Sequence, residues 1–280
     1  MPKVSVLMPI YRTNRQYLKS VIDSILSQTF TDFELLILDD CPEDSREDVI
    51  KFYTDERIQY FKNETNQGIS FSRNKLTTLA RGNYLAVIDH DDIALPTRFE
   101  EQIQILDTHP EIGIVGSWVE SFPNIKVVKY PESNQDIEQY LMQGCAVPHT
   151  GAMIRASILP DNPYEDKFSP AEDYALWCRL IGKTQFYNIP KVLMKYRIHD
   201  SNTTKTQENK MTNATQAIHE FVRKTHPKIW QTVCEQTPHI IRLKLFGIIP
   251  LGRFRQTGKN RQGILKFLPF ITIKAKQEVK

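Results

Sequence analysis

The sequence predicts an α/β protein built on a mostly parallel sheet with helices on both faces. Its 280 residues are 40% hydrophobic and 25% charged, a composition typical of a folded domain with a full core. Short apolar runs of strand length alternate with segments of helical period over residues 3–119. Acidic residues directly follow two of these runs, at Asp39-Asp40 and at 89–92. Strands that alternate with helices pair in parallel, because each crossover helix returns the chain to the same edge of the sheet.

The elements follow a regular order in the first part of the chain. Residues 3–8 form an apolar run that predicts a buried strand, and Pro9 ends it because proline cannot donate to a sheet ladder. Asn14 is a suitable cap for the next helix, whose apolar residues recur at helical spacing up to Thr29. The same cycle predicts strands at 33–38, 58–61, 84–88 and 113–119 and helices at 44–53, 70–80 and 96–108.

The pattern loosens after residue 119. Short strands are predicted near 125–128, 152–154, 186–189 and 193–197, with a helix at 171–181 and polar helical sequence from 203 to about 234. We therefore predict a first domain over residues 1–205 and a helical C-terminal region over 206–280. Residues 240–280 form a basic amphipathic tail in this prediction.

The charge distribution excludes a general nucleic-acid binder. The net charge is +3, but residues 240–280 hold ten of the 36 Lys and Arg residues and one of the 33 Asp and Glu residues. The body therefore carries 32 acids against 26 bases, and the basic, apolar tail suits an anionic surface. Four widely spaced cysteines favour a reduced compartment over a disulfide framework. With neither a signal peptide nor a membrane span indicated, we expect a cytoplasmic protein.

The acidic residues after the strands predict a ligand site. In doubly wound sheets the ligand lies beyond the carboxyl ends of the strands, where Asp39-Asp40 and the 89–92 run both fall. Carboxylates gathered there repel one another unless a cation or hydrogen bonds compensate. The spacing of Asp89 and Asp91 suits Mg²⁺ or Mn²⁺ shared with phosphate oxygens. Acidic residues after strands are also common turn formers and helix caps, so the pattern alone leaves both explanations open.

Six motifs follow one another in order along the first 200 residues. They are Pro9-Ile10-Tyr11, Leu38-Asp39-Asp40, the segment 66–74, Asp89-His90-Asp91-Asp92, Glu172-Asp173-Tyr174 and Tyr196-Arg197-Ile198-His199. Together they resemble glycosyltransferase family two, which has the GT-A fold. The resemblance covers residues 3–205 and implies sugar transfer from a nucleoside diphosphate sugar, expected to be a UDP-sugar, to an acceptor hydroxyl. Arg12 and the 41–44 turn depart from the family's usual residues.

The resemblance also implies a role for each matching residue. Asp173, beside Glu172, is similar to the catalytic base of inverting members. Asp91, with Asp89 and His199, is similar to the ligands of a divalent metal, Mn²⁺ or Mg²⁺. The residues expected to bind the nucleotide sugar are Pro9, Tyr11, Asp40, Arg73, Asp89 and His90.

Other functions fit the sequence less well. A sugar-phosphate nucleotidyltransferase is expected to have a Gly-rich basic loop after its first strand, and residues 9–14 contain no glycine. A dinucleotide oxidoreductase requires G-x-G-x-x-G, which does not occur. A noncatalytic nucleotide-sugar-binding protein remains the alternative from another class. A processive synthase is expected to carry Gln-x-x-Arg-Trp, and none of the three tryptophans follows an arginine.

The preferred reading is therefore a single-addition transferase of bacterial surface glycans such as lipopolysaccharide or capsule. Its acceptor would be a glycan or a lipid-linked oligosaccharide, and its tail would hold it on the inner face of the cell membrane. The alternative for the tail is a helical subdomain that packs on the catalytic domain or on a second subunit, which leaves a homo-oligomer open.

Overall fold

The structure, a computed structural model, describes residues 1–236, 239–245, 249–257, 260–268 and 271–278, with side chains up to residue 233 except 204 and 205. The chain divides into two compact units, Met1–Phe221 and Val222–Lys280. The strands are β1 Val4–Ile10, β2 Phe33–Asp39, β3 Ile58–Lys62, β4 Tyr84–Val87, β5 Ile93–Ala94, β6 Ile112–Phe122, β7 Lys126–Val128, β8 Met153–Arg155, β9 Gln185–Arg197, β10 His239–Leu245, β11 Ile249–Thr257, β12 Asn260–Leu268 and β13 Ile271–Glu278. The helices are α1 Arg15–Leu26, α2 Glu47–Ile50, α3 Ile69–Leu79, α4 Arg98–Thr108, α5 Asn134–Tyr140, α6 Glu172–Leu180, α7 Thr203–Thr206, α8 Glu208–Thr225 and α9 Pro227–Gln236.

The first unit contains the predicted α/β sheet. Its strand order is β3-β2-β1-β4-β8-β6-β9-β5, and β7 pairs with β6. The four strands β3, β2, β1 and β4 are parallel, and β9 is parallel to β6. The three-residue strand β8 is antiparallel to both of its neighbours, β4 and β6, and β5 is antiparallel to β9. The parallel ladders contain most of the paired residues, which confirms the predicted mostly parallel α/β sheet.

The first strand–helix–strand unit forms for the reasons that the sequence indicated. Every residue of β1 and of β2 is buried, as expected for parallel strands covered on both faces. The Asn14 side chain accepts hydrogen bonds from the backbone N–H groups of Gln16 at 2.8 Å and Tyr17 at 3.3 Å. This cap fixes the start of α1 immediately after the carboxyl end of β1.

Helix α4 ties three segments of the sheet together through two buried polar side chains. The fully buried Arg98 donates from Nη2 to the carbonyl oxygens of Val87 at 2.9 Å and Ala152 at 3.0 Å. Gln102 donates from Nε2 to those of Val115 at 3.0 Å and Gly151 at 2.7 Å. Burial lowers the pKa of Arg98 to about 9. These bonds hold the end of β4, where the acidic segment 89–92 begins.

Several elements differ from the prediction. The helix expected at 44–53 is a 3₁₀ turn at Pro42–Asp44 followed by the short α2. The strands expected at 186–189 and 193–197 are one strand, β9, because the register against β6 shifts so that Pro190 lies in a bulge. Strand β5 and helix α5 were not predicted.

The C-terminal region is helical over α8 and α9 and contains strands beyond them. Strands β10 to β13 form an antiparallel sheet in chain order, where the sequence analysis expected a helical region. The reason is visible in the alternation of polar and apolar residues at 253–255 and 271–276, which has the period of a strand. The tail side chains lie outside the described residues, so the tail's amphipathic role and the boundary at 205 stay predictions. Among the residues described, no helix is long and apolar enough to cross a membrane.

Candidate active site

A cleft of about 1580 Å³ lies at the carboxyl ends of β1, β2 and β4. Each of these strands ends beside a motif that the sequence singled out. All ten residues predicted for the site line this cleft, which brings together side chains as far apart in sequence as 9 and 199. They are Pro9, Tyr11, Asp40, Arg73, Asp89, His90, Asp91, Glu172, Asp173 and His199.

The two acids that end β2 have different surroundings. Asp40 lines the cleft and accepts hydrogen bonds at 2.8 Å from Asn63 Nδ2 and from the backbone N–H groups of Gln67 and Gly68. Gly68 permits this approach because its φ of 86° is unfavourable for other residues. A carboxylate offers about four acceptor positions, so Asp40 retains capacity for a ligand. Its contact with uracil stays a prediction.

Asp39 is fully buried and holds the loop beneath the cleft. Its oxygens accept hydrogen bonds from the backbone N–H groups of Cys41 at 3.0 Å and Arg46 at 2.7 Å and from the Tyr60 hydroxyl at 2.7 Å. Only Asp40 of this pair therefore remains available to a ligand in the cleft.

Arg73 connects the two acidic sides of the cleft. Its Nη1 donates to Glu172 Oε1, and its Nη2 donates to Asp89 Oδ1 at 3.1 Å. Burial opposes the charge of Arg73, but Glu172 and Asp89 outweigh it and raise its pKa. Arg73 was predicted to contact the nucleotide. In this structure its guanidinium binds two carboxylates, and its contact with a nucleotide stays a prediction.

Asp173 is the carboxylate beside this network that makes no ion pair with the described residues. It begins α6 next to Glu172, and its Oδ1 accepts a hydrogen bond from the Tyr174 backbone N–H at 2.7 Å. Burial and the charge of Glu172 raise the pKa of Asp173 to about 6, and Arg73 opposes the shift. A carboxylate with this pKa can take up a proton near neutral pH.

Two of the three predicted metal ligands converge. His199 Nε2 lies 2.8 Å from Asp91 Oδ2, and these side chains are 16% and 12% exposed. Asp89 instead contacts Arg73, and the described residues contain no group of three His, Cys, Asp or Glu side chains arranged to hold a metal. One nitrogen and one carboxylate facing a cleft nevertheless suit Mg²⁺ or Mn²⁺, which commonly take their other ligands from substrate phosphates and water. Asp91 and His199 thus fit a divalent cation.

Asp92 and His90 flank Asp91 in different surroundings. Asp92 is fully buried and accepts a hydrogen bond from the Arg197 backbone N–H at 2.9 Å. Burial and the charges of Asp91 and Asp89 raise the pKa of Asp92 well above its usual value. His90 lines the cleft, and its Nδ1 is buried without a hydrogen-bond partner. Its predicted contact with the nucleotide sugar stays a prediction.

Sequence reasoning gave no role to one wall of the cleft. Residues Gln207, Lys210, Met211 and Thr215, which begin just before α8 and continue along it, line this wall. Their spacing of three to four residues is that of one helix face, and this signal was present in the sequence. Val128, at the end of β7, and Tyr130 shortly after it also line the cleft. The cleft thus extends beyond the residues expected to bind the donor.

A buried histidine also lines the cleft. His149 Nε2 lies 3.0 Å from the Tyr164 hydroxyl, and burial and Arg73 together lower the pKa of His149 well below its usual value. This shift in pKa favours the neutral imidazole of His149.

The comparisons with known proteins identify the class. The sequence profile described as Glycosyl transferase family 2 matches residues 5–159. The chain is 38% identical to the uncharacterized glycosyltransferase MJ1057 of Methanocaldococcus jannaschii over 206 residues, which cover 70% of this chain and 71% of that protein. The protein is a glycosyltransferase, and it belongs to glycosyltransferase family 2.

Two other relatives come from Escherichia coli. The O-antigen biosynthesis glycosyltransferase WbnJ is 31% identical, with 79% of this chain and 89% of WbnJ covered. WfgD, named a UDP-Glc:alpha-D-GlcNAc-diphosphoundecaprenol beta-1,3-glucosyltransferase, is 25% identical, with 81% and 89% covered. The family's relatives thus include proteins of O-antigen and glycan biosynthesis.

A solved structure has the same fold. S. aureus TarS 1–349 in complex with UDP-GlcNAc superposes with a TM-score of 0.68 and 17% identity, covering 83% of this chain and 72% of that chain. This likeness confirms the GT-A fold predicted from the sequence.

Proposed function

We propose that the protein transfers one sugar from a UDP-sugar to a hydroxyl group of a surface-glycan acceptor, with inversion at the anomeric carbon. The observation that carries this proposal is that only one of two adjacent carboxylates, Glu172 and Asp173, is paired with a cation among the described residues. Glu172 is paired with Arg73, whereas Asp173 has no cationic partner among the described residues and a pKa raised to about 6. A general base functions best when its pKa lies near the working pH.

The proposed reaction is a direct displacement. The acceptor oxygen attacks the anomeric carbon and forms the new glycosidic bond, while its proton passes to the Asp173 carboxylate. The bond between the anomeric carbon and the diphosphate oxygen breaks, and its electron pair leaves with UDP. One displacement on one face inverts the configuration. Asp40 would accept a hydrogen bond from the uracil imide in this proposal, and Pro9 and Tyr11 would line the base site.

Asp91 and His199 would hold a divalent cation, Mn²⁺ or Mg²⁺, with Asp89 and His90 nearby on the same segment. When bound, such a cation neutralises the charge that develops on the departing diphosphate. Arg73 keeps Asp89 and Glu172 apart from this pair by binding both of them.

The acceptor is proposed to be a lipid-linked glycan at the inner face of the cell membrane. WbnJ is named for O-antigen biosynthesis and WfgD for a diphosphoundecaprenol acceptor, which supports this class. The ten basic residues of the tail would favour an anionic surface by about 1 kcal/mol each when they lie near it.

The test is a screen of UDP-sugars with Mn²⁺ or Mg²⁺ that measures UDP release and product formation with a lipid-diphosphate-linked glycan. Asp173→Asn keeps the shape of the side chain but removes the base, so kcat should fall by about 10² or more while UDP still binds. Asp161→Asn, an exposed acid outside the cleft, is the matched control and should keep full activity.

The product's anomeric configuration, measured by NMR, tests inversion. A retained configuration, or near-normal turnover by Asp173→Asn, would contradict the assignment. Binding of UDP-sugar without any transfer or hydrolysis would favour the noncatalytic alternative.

A further inference from the structure

The guanidinium of Arg197 lies between two aromatic rings at the end of β9. Its central carbon is 4.1 Å from the ring centroid of Tyr17 on α1 and 4.5 Å from that of Phe122, the last residue of β6. Both distances are within the range of cation–π attraction, which holds a cation over a ring face. Arg197 makes no ion pair with the side chains that the structure describes. Its charge is compensated by rings and a backbone carbonyl.

Arg197 also contacts the segment that carries Asp91. Its Nε donates to the Asp91 backbone carbonyl at 2.8 Å, and its backbone N–H donates to Asp92 Oδ1 at 2.9 Å. A guanidinium this close could have bound the Asp91 carboxylate, which is the usual partner of arginine. Because it binds the backbone instead, the Asp91 carboxylate remains available to His199 and to a ligand in the cleft.

The same contacts extend to His199, two residues further along. The Ile198 backbone N–H donates to the Phe122 carbonyl at 2.8 Å, which continues the pairing of β9 with β6. The ring of Tyr17 lies 5.5 Å from the ring of His199, centroid to centroid. The Tyr17 ring therefore packs beside both the Arg197 guanidinium and the His199 imidazole, and it links the positions of these two side chains.

We propose that Arg197, held between Tyr17 and Phe122, is a positioning residue that fixes Asp91 and His199 in their 2.8 Å arrangement. This inference rests on the proposed function in one respect, namely that Asp91 and His199 hold a divalent cation. Groups that orient metal ligands from behind typically change metal affinity by about 10 to 100-fold when they are removed. Loss of the Arg197 contacts should therefore weaken cation binding without changing any ligand.

The structure offers a matched control in Arg155. Its central carbon lies 5.4 Å from the Tyr84 ring centroid, and its Nη2 donates to the carbonyls of Leu106 at 2.8 Å and Ile112 at 3.1 Å. It is thus a second arginine that packs on a ring and binds backbone carbonyls, but it lies outside the cleft. A general loss of stability should appear in Arg155→Lys as well as in Arg197→Lys.

The experiment compares the full-length wild type with Arg197→Lys, Arg155→Lys, Tyr17→Leu and Tyr17→Phe. Free Mn²⁺ is measured by electron paramagnetic resonance in the presence of saturating UDP, and amide hydrogen exchange over residues 198–202 is measured without metal. We expect Arg197→Lys and Tyr17→Leu to bind Mn²⁺ at least about tenfold more weakly and to exchange faster. Arg155→Lys and Tyr17→Phe, which keeps the ring, should match the wild type in both measurements.

Wild-type Mn²⁺ affinity and exchange in Arg197→Lys would overturn the proposal, as would an equal effect of Arg155→Lys. If the wild type binds no Mn²⁺, the metal part of the proposed function fails, and exchange alone then decides. Faster exchange over 198–202 in Arg197→Lys but not in Arg155→Lys would still support the positioning role, and equal exchange would overturn it.

Discussion

Arg73 pairs with Glu172 although Asp173 is the next residue along α6. Glu172 is held against a buried cation, and Asp173 retains a carboxylate that burial and the neighbouring charge of Glu172 make harder to ionise. Glu172 is thus occupied by its ion pair with Arg73, whereas the raised pKa of Asp173 suits a group that exchanges protons. The first two predictions below follow from this difference.

The pH dependence of turnover should report the pKa of Asp173. A base must be ionised, so kcat/KM should rise with pH through a midpoint near 6, where the pKa of Asp173 lies. In Glu172→Gln the charge that raises this pKa is gone and Arg73 loses a partner, so the midpoint should move down by about 1. Glu165→Gln, which removes a carboxylate paired with Arg179 outside the cleft, should leave the midpoint unchanged. An unchanged midpoint in Glu172→Gln would rule out an electrostatic effect of Glu172 on the pKa of Asp173.

Asp173→Asn should stabilise the fold at alkaline pH. The folded-state pKa of Asp173 is raised from an ordinary value of 3.8 to about 6, so ionisation costs stability, and this cost grows as pH rises from about 4 to about 6. Asparagine stays neutral at every pH. The free energy of unfolding of Asp173→Asn should therefore exceed that of the wild type by up to about 3 kcal/mol above pH 7, and this difference should shrink toward pH 4. Urea unfolding of both proteins at pH 4.5 and pH 8 measures the difference. Equal free energies of unfolding of the wild type and Asp173→Asn at pH 8 would show that the fold does not disfavour the ionised carboxylate of Asp173.

Activity should require a divalent cation. Chelation should abolish transfer and Mn²⁺ or Mg²⁺ should restore it, because the departing diphosphate needs charge compensation. Asp91→Ala should remove activity while the thermal unfolding midpoint of the protein changes little, since the Asp91 side chain contacts only His199 among the hydrogen bonds of the described residues. Full turnover in excess chelator would contradict the metal site.

The tail should attach the protein to anionic membranes. Replacing four tail bases with glutamine should weaken co-sedimentation with anionic vesicles by several kcal/mol at low salt, at about 1 kcal/mol per base. The control replaces four exposed lysines of the first unit. Binding that is equal in both variants, or absent in the wild type, would remove the membrane role. The tail bases are Arg253, Arg255, Lys274 and Lys276, and the control lysines are Lys51, Lys62, Lys167 and Lys183.

The local pattern of the sequence predicted the framework of the fold. Strands β1 and β2 and helix α1 are encoded by apolar periodicity and by the Asn14 cap, which are short-range signals. Strand β9 was divided wrongly at Pro190 because proline usually ends a strand, and only the pairing partner β6 reveals the bulge that accommodates it. The short β5 is two residues long and has no pattern of its own.

The sequence indicated residues that line the cleft but not which of them contact one another. Ordered motifs indicated ten residues, and the cleft includes all of them. The pairing of Arg73 with Glu172 joins residues 99 positions apart, and no sequence period specifies a contact of that range. The same holds for Arg197, whose ring partners come from α1 and β6. Side-chain pairing depends on packing, which a single sequence does not encode in any local form.

The position of Arg73 between Glu172 and Asp89 links ligand occupancy to proton affinity. Any anionic group that draws this guanidinium away from Glu172 leaves a bare negative charge beside Asp173 and raises its pKa further. Binding of that group and uptake of a proton are then thermodynamically reciprocal, so each favours the other. Asp173 would thereby be a weaker base in the empty cleft and a stronger base once an anionic ligand has engaged Arg73.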